Sequence, residues 1–419
     1  MEVREITKEE FDSFSKNHIL GSLYQTSEYG TLMSKNGYKD IYIGVYDSYN
    51  LVCASLILTK TISLNVKYGY APRGFLLNYF DKYTLSEVTN CIKMYFKNKG
   101  YAFIKVNPII TLSEIDSTTY EKKYSEQALQ LIDNLQELGY VKLKDNLYFE
   151  SILPKYNPII NLKMFDFDKL DVKLQSKINR VSSKGLKLIK GDLYNINLLY
   201  ELIKKKENLD ENYYKTLYKV FDENQMLDLF LIEVDYHDYL SNLQEDHNTE
   251  KVINEKINRI FQMDPTNKNI YNEKMTSDQK LNEINEELYK TNIKIQNGIS
   301  KETIAGALVI KYKNIVCFYI TGFNKTYSRM FPNHYLHYAL LNYYKNNGYM
   351  FADLNGITGD FTKENPYKGL NDFKNSFKPR IYEYIGEFDL VISDTKYKLL
   401  WSTKALQKEF EKKGLKTVS

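Results

Sequence analysis

Short runs of alternating apolar and polar residues, separated by stretches with apolar positions at helical spacing, mark this chain as a mixture of strands and helices. LYQTSEYGTLMSKNGYK, residues 23–39, predicts a helix capped by Thr26 or Ser27, with Glu28 in its first turn, Lys35 in its last and Gly37 closing it. Strands are predicted at Ile41 to Val45 and Leu51 to Lys60, a helix from Leu85 to Asn98, and a strand from Tyr101 to Val106 that stops at Asn107-Pro108. Arg73-Gly74 interrupts the apolar pattern between the second strand and the helix. The same order returns late in the chain, with a hairpin from Ala305 to Gly322, a helix from Pro332 to Asn346 and a strand from Tyr349 to Leu354. The two helix-to-strand junctions even spell alike, FKNKGY from Phe96 and YKNNGY from Tyr344. Repeated order predicts two copies of one α/β unit, each with a mixed, largely antiparallel sheet.

Between the copies, Tyr148 to Leu162 reads as extended chain with Pro154 and Pro158, a crossing from one unit to the other. A basic helix follows, along which Lys173, Lys177, Arg180 and Lys184 are spread before an exit at Gly185. Such a run is either a solvated face or a surface for phosphates. Tyr239 to Gly298 has almost no strand pattern, and Leu281, Ile284, Leu288, Thr291 and Ile295 follow spacings of three and four there. With Leu240, Leu243, His247, Ile253, Ile257 and Ile260 before the turn signal DPTN at Asp264, this predicts an antiparallel coiled-coil hairpin with arms of roughly 35 Å. Tyr397 to Lys416 reads as a terminal helix docked on the core with its lysines outward.

Length and composition sharpen this picture only in part. With 419 residues, two or three domains are expected, and 57 basic against 53 acidic residues leave +4, so any site for a polyanion must be a local patch. Cys53, Cys91 and Cys317 are far apart, which predicts buried reduced thiols. The amino terminus is mixed and acidic and no apolar run approaches the ~20 residues of a membrane span, so the expected place of action is the cytoplasm, with room for peripheral contact at the membrane.

Candidate chemistry is sparse. The 5 histidines show no zinc-site spacing, and the chain has no nucleophile elbow, Walker loop or dinucleotide motif, so no metal and no cofactor is expected. What stands out is Asp353 to Leu390, where a strand end runs through a polar, Gly-containing loop into Phe373-Lys374 and Phe377-Lys378. A lysine beside an aromatic ring at a strand end is a place to hold developing negative charge.

The repeated unit resembles the N-acyltransferase (GNAT-like) fold, although GFNKTYSRMFPNHY lacks the Gly-rich basic turn that grips coenzyme A. QTSEYGTLMSKNGY, APRGFLLNY, ITGFNKTYSRMFPNHYLHYAL, DLNGITGDF and KGLNDFKNSFKPRIYEYIGEFDL together resemble the Fem (FemABX) family of peptidoglycan-bridge aminoacyltransferases, over almost the whole length. That resemblance implies two GNAT-like domains: 1–152, completed by 390–419, and 153–238 with 299–389, interrupted by the coiled-coil hairpin at 239–298. It implies transfer of an amino acid of the Gly, Ala or Ser class from aminoacyl-tRNA to the stem peptide of lipid II or UDP-MurNAc-pentapeptide. Lys374 would then stabilise the oxyanion or the departing ribose oxygen, with Phe373 holding it by a cation–π contact. Lys35 matches a lysine that helps bind the precursor's diphosphate, and Arg73, Asn107, Lys215, Tyr327, Arg329 and Asn355 are further substrate-binding candidates, with Lys177, Arg180 and Lys184 as tRNA contacts. Two departures stand out: Thr216 where the family often has arginine, and Asn107-Pro108 where it often has Asp-Pro. Two other readings are a coenzyme A dependent N-acyltransferase and a non-catalytic cell-wall assembly partner.

Overall fold

Alternating apolar residues build two sheets in the computed structural model, which describes residues 1–62, 66–145, 147–149, 152–182, 184–206 and 208–402. In chain order, β1 (Glu2–Glu5), β2 (Lys39–Asp47), β3 (Asn50–Thr61), β4 (Lys67–Ala71) and β5 (Tyr101–Val106) belong to the first sheet. β6 (Thr111–Asp116) and β7 (Lys122–Tyr124) leave it, and β8 (Tyr140–Lys142) returns. β9 (Tyr156–Asn161), β10 (Leu186–Gly191), β11 (Leu227–Asp235), β12 (Lys301–Tyr312), β13 (Ile315–Phe323), β14 (Phe351–Asp353) and β15 (Arg380–Tyr384) form the second sheet with β6 and β7. β16 (Phe388–Val391) closes back into the first.

Each sheet contains the run expected from the repeat. β3 pairs antiparallel with β2 and β4, after which β4 runs parallel to β5; β12 pairs antiparallel with β11 and β13, after which β13 runs parallel to β14. A parallel neighbour requires a crossover. The helices Lys82–Asn98 and Pro332–Asn346 supply it, the first started by Asp81, whose carboxylate accepts from the amides of Tyr83 and Thr84. The strand orders are β1-β2-β3-β4-β5-β16-β8 and β10-β11-β12-β13-β14-β9-β15-β6-β7.

The sheets exchange strands in both directions. β16 lies between β5 and β8, whereas β6, which sits within the expected first domain, pairs with β15 of the second sheet. The division expected at residue 152 is therefore crossed. Ile115 packs with Tyr156, Ile357 and Ile381, and the Ser113 hydroxyl donates to Glu383 at 2.6 Å, so β6 buries its inward face against the second sheet. Residues 403–419, with Lys404, Leu406, Lys408, Phe410, Lys412, Lys413 and Lys416 of the expected terminal helix, lie outside the described residues; its start is the helix Asp394–Ser402.

The inserted segment forms two long helices, Tyr236–Met263 and Lys268–Gln296, of 28 and 29 residues. At ~1.5 Å per residue they extend roughly 42 Å, longer than expected. Of the seam residues read from spacing, Leu243 and Thr291 are buried and Leu288 and Ile295 pack against the second-sheet core, but the outer part of the arm differs. Ile253 and Ile260 are 42% and 51% exposed, while Glu250, Asn254 and Ser277 are buried. Ser277 donates to Glu250 at 2.7 Å and Asn254 to Ser277 at 3.2 Å. Polar groups thus occupy the outer interface, and the isoleucines are rotated off it. Cys53, Cys91 and Cys317 are buried free thiols, and among the described residues no helix is long and apolar enough to cross a membrane.

The exchanged β16 is locked by charge. Lys105 on β5 meets Asp389 on β16 at 2.9 Å with both side chains almost fully buried, and the Tyr397 hydroxyl also donates to Asp389. Removing one partner of such a pair strands a buried charge. Lys105→Met should therefore destabilise by about 3–5 kcal/mol in denaturant unfolding, and adding Asp389→Leu should recover most of that loss.

Candidate functional site

At the end of β14 the chain turns sharply through Asn355, whose φ of 65° lies in the left-handed region that Asn tolerates better than most side chains. The turn is built from its own polar atoms. Asp353 Oδ1 accepts from the Asn355 amide at 2.8 Å, Asn355 Oδ1 accepts from the Gly356 amide at 2.8 Å, and Asn355 Nδ2 donates to the Tyr319 carbonyl at 2.9 Å. The carbonyls of Asn355 and Gly356 are left to accept from Lys374 Nζ, at 3.3 and 2.8 Å.

Lys374 lies on the short helix Lys368–Asn375, not in a loop as expected. The buried face of that helix is polar: Asn371, Lys374 and Asn375, three and four residues apart. Asn371 fixes the helix to the same loop, donating to the Thr358 hydroxyl at 2.9 Å and accepting from the Thr358 amide at 3.1 Å. Lys374 is only 9% exposed, and this burial pulls its pKa down to about 8, opposed by the charge of Asp353.

Arg73 approaches from the first sheet. It sits in the turn after β4 at a φ of 55°, and its amide donates to Asn107 Oδ1 at 2.8 Å. Asn107 Nδ2 in turn donates to the Tyr70 hydroxyl at 3.2 Å, so Asn107 clamps the Arg73 turn. The guanidinium donates to the Pro154 carbonyl at 2.7 Å and lies 4.9 Å from the ring centre of Tyr384. Arg73, Asn107, Lys155, Tyr384, Glu387 and Trp401 line much of a cavity of about 220 Å3. Asp353, half-buried, feels both Arg73 and Lys374; burial raises its pKa and these two cations lower it, with burial the larger effect.

Phe373 does not hold Lys374. Its ring packs edge-on against His334 at 5.0 Å, His337 at 4.8 Å and Phe377 at 5.7 Å, because successive side chains on a helix diverge by about 100° and only Lys374 faces the turn. The cation–π contact expected from the sequence is thus replaced by an aromatic cluster under the helix. Burial keeps both histidines neutral, with His334 lowered to about 4 and His337 to about 3. His334 connects outward to Lys177, whose Nζ lies 3.3 Å from its Nε2. Lys177 and Arg180 share the helix Val172–Ser182, and Lys184 follows it, donating to the Arg329 carbonyl at 3.3 Å. Lys184 feels Arg180 and Arg329 but also Glu287 and Asp246, so the three tRNA-contact candidates and Arg329 form one largely basic face, partly offset by these acids and joined through His334 to the helix that carries Lys374. Val172, Gln175, Ser176, Asn179 and Arg180 line an open groove on this face.

The remaining candidates stand apart. Lys35 caps the exposed end of helix Ser27–Ser34, and Lys215 is paired with Glu211 at 2.6 Å on helix Glu211–Asp222. These two helices pack together, with Asn224 Nδ2 donating to Glu28 at 2.6 Å. Tyr327 serves the root of the helical arm, its hydroxyl donating to Glu302 at 2.7 Å and lying 2.8 Å from that of Tyr236. Asp353 and Asn157 were missed from the sequence. Asp353 carried a signal, an acid at a strand end before Asn-Gly; Asn157 lay in a stretch read as a crossing segment.

A two-sheet α/β protein with a lysine ammonium held by the carbonyls of a strand-end turn is thus defined by fold and site together. The chain belongs to the FemAB family, whose model matches residues 6–405. It is 24% identical over 416 residues to the lipid II:glycine glycyltransferase of Staphylococcus epidermidis, covering 96% of each chain. To the enzyme of the same name from Staphylococcus aureus it is 25% identical over 425 residues, again covering 96% of each. The crystal structure of FemX matches the fold with a TM-score of 0.73 and 21% identity, over 96% of this chain and 100% of that one.

The depressed pKa of Lys374 has a consequence for stability. Between about pH 8 and the ordinary lysine pKa near 10.5 the unfolded chain holds more protons at this site than the folded one, so folding gains as pH rises through that window. The unfolding free energy of the wild type minus that of Lys374→Met should rise from pH 8 to 10, by at most about 1.4 kcal/mol per unit, and stay flat between pH 6 and 7.

Proposed function

We propose that this chain transfers an amino acid of the Gly, Ala or Ser class from aminoacyl-tRNA to an amine on the stem peptide of a peptidoglycan precursor such as lipid II, building the interpeptide bridge. One observation carries the reading: the ammonium of Lys374 is held by the Asn355 and Gly356 carbonyls beside Asp353, which also feels the charge of Arg73 from the other sheet. Membership of a family whose relatives are named lipid II:glycine glycyltransferases supports the substrate class. We read the two sheets as GNAT-like units and place the activity in the cytoplasm, at the inner face of the membrane when the precursor is lipid-linked.

The chemistry suits a site with no covalent nucleophile. The ester of an aminoacyl-tRNA is already activated, so a neutral amine needs to be positioned against it and the negative charge on the carbonyl oxygen needs a donor. Lys374 supplies that donor and, with its pKa near 8, is acidic enough to protonate the departing ribose oxygen. The basic face of Lys177, Arg180 and Lys184 lies where a phosphate backbone would guide the acceptor end of the tRNA inward. Lys35 and Lys215, on the paired helices, are offered to the precursor's diphosphate.

A panel of charged tRNAs incubated with lipid II decides the reading, by transfer of labelled amino acid; absence of transfer with every tRNA and with UDP-MurNAc-pentapeptide would sink it. Lys374→Ala should lower kcat about 100- to 1,000-fold and leave precursor binding close to wild type, checked by calorimetry. Replacing Lys177, Arg180 and Lys184 together by Ala should raise KM for aminoacyl-tRNA, flatten its salt dependence by about two to three charges and leave KM for the precursor unchanged.

A further inference from the structure

Asn107 follows β5 where the family this chain resembles often carries a carboxylate, and its amide is bonded to the Arg73 amide and the Tyr70 hydroxyl. A carboxylate nevertheless lies within reach of both cations. It comes from the other sheet: Asp353, at the end of β14, between the charges of Arg73 and Lys374. Its backbone partner across the parallel pairing is Cys317 on β13, a buried neutral thiol, and the neighbouring titratable groups Tyr24 and Tyr384 are held neutral by burial. His337, the remaining titratable neighbour of Lys374, is neutral as well. Asp353 thus feels both cations, and burial shifts its carboxylate toward taking up a proton.

Asn157 on β9 gives the second observation. Its Nδ2 donates to both carboxylate oxygens of Asp353, at 2.9 and 3.2 Å, because the opposite orientation would set oxygen against oxygen. Its own Oδ1 then points into the interior with no hydrogen-bond donor, in a residue only 4% exposed. A buried acceptor left open beside a carboxylate is a place prepared for an N–H group.

We infer that Asp353 and Asn157 together receive the attacking amine, Asp353 as a further catalytic residue that takes the amine's proton and Asn157 as the group that orients its second N–H. The inference rests on the aminoacyl-transfer reading. The amine nitrogen bonds to the ester carbonyl carbon, and one N–H proton passes to the Asp353 carboxylate. The bond from carbonyl carbon to ribose oxygen breaks, and the ribose oxygen leaves with a proton from the Lys374 ammonium. Asp353 then returns its proton to the Lys374 amine across the turn they share, so that amide and free ribose hydroxyl are the net products. Two cations against one carboxylate also favour an amine that arrives neutral, as attack requires.

The test is single-turnover transfer by Asp353→Asn and the wild type, from pH 5 to 8, with precursor binding and thermal unfolding measured on the same samples. Asp353→Asn should transfer about 100-fold more slowly at pH 7, bind precursor within about threefold of wild type, and keep accelerating with pH where the wild type has levelled off. A rate within about threefold of wild type, or a loss with an unchanged pH profile, overturns the inference. If Asp353→Asn does not fold, Asn157→Ala decides: KM for the precursor should rise about tenfold with kcat less affected, and an unchanged KM overturns it. Wild type without transfer from any charged tRNA removes the aminoacyl-transfer reading itself, and this inference falls with it.

Discussion

The contact between the Lys374 ammonium and the carbonyls of Asn355 and Gly356 is the constraint on which the site depends. A lysine that buries its charge gives up hydration worth several kcal/mol, and two carbonyl dipoles return only part of it. Everything nearby serves to keep those dipoles in place: Asp353 and Asn355 pin the turn from within, Tyr319 holds it from β13, and Asn371 fastens the helix to Thr358. The buried face of the helix Lys368–Asn375 is polar because it anchors a turn, and the apolar anchoring is left to Phe373 on another side and to Phe377 just past its end.

Strand exchange sets the geometry between the two halves. Arg73 projects from a first-sheet turn that Asn107 clamps, yet its guanidinium bonds to Pro154, next to β9, and lies on Tyr384 of β15. Those second-sheet strands are held in turn by β6, which the chain sends across directly after β5, while β16 returns to lock against Lys105. A hinge between independent domains would let Arg73 drift from Asp353. Two crossings of the backbone in opposite directions remove that freedom, and this is why the cleft can hold charges at fixed spacing.

Where periodicity is strong the fold was legible. The helix Pro332–Asn346 and the strand β5 fall where spacing placed them, and the hairpin–helix–strand repeat is present in both sheets. The crossing of β6 to the second sheet was not legible, since a strand's pattern says which face is buried and nothing about which sheet buries it. The helical arm shows a related limit. Isoleucines at suitable intervals suggested its seam, but Glu250, Asn254 and Ser277 satisfy one another well enough to take the interface. Lys374, Arg73 and Asn355, singled out by motif, all act on Asp353. The Phe373 contact was misread because adjacency in sequence is divergence on a helix, and Asn157 gave no signal because its importance lies in an oxygen left unpaired.

The balance of charge around Lys374 explains how a buried lysine keeps its charge. A hydrated lysine, with pKa near 10.5, is charged at neutrality but holds its proton too tightly to give it up to a leaving oxygen. Burial alone would lower the pKa further. Asp353 opposes that fall, and the result near 8 keeps about nine-tenths of the lysine protonated at pH 7 while making it a stronger acid by more than two units. Arg73 then has a distinct task. By lowering the pKa of Asp353 against the larger effect of burial, it favours the carboxylate form, whose charge in turn raises the pKa of Lys374. The three groups form a chain in which each sets the state of the next, and that chain closes only where the two sheets meet.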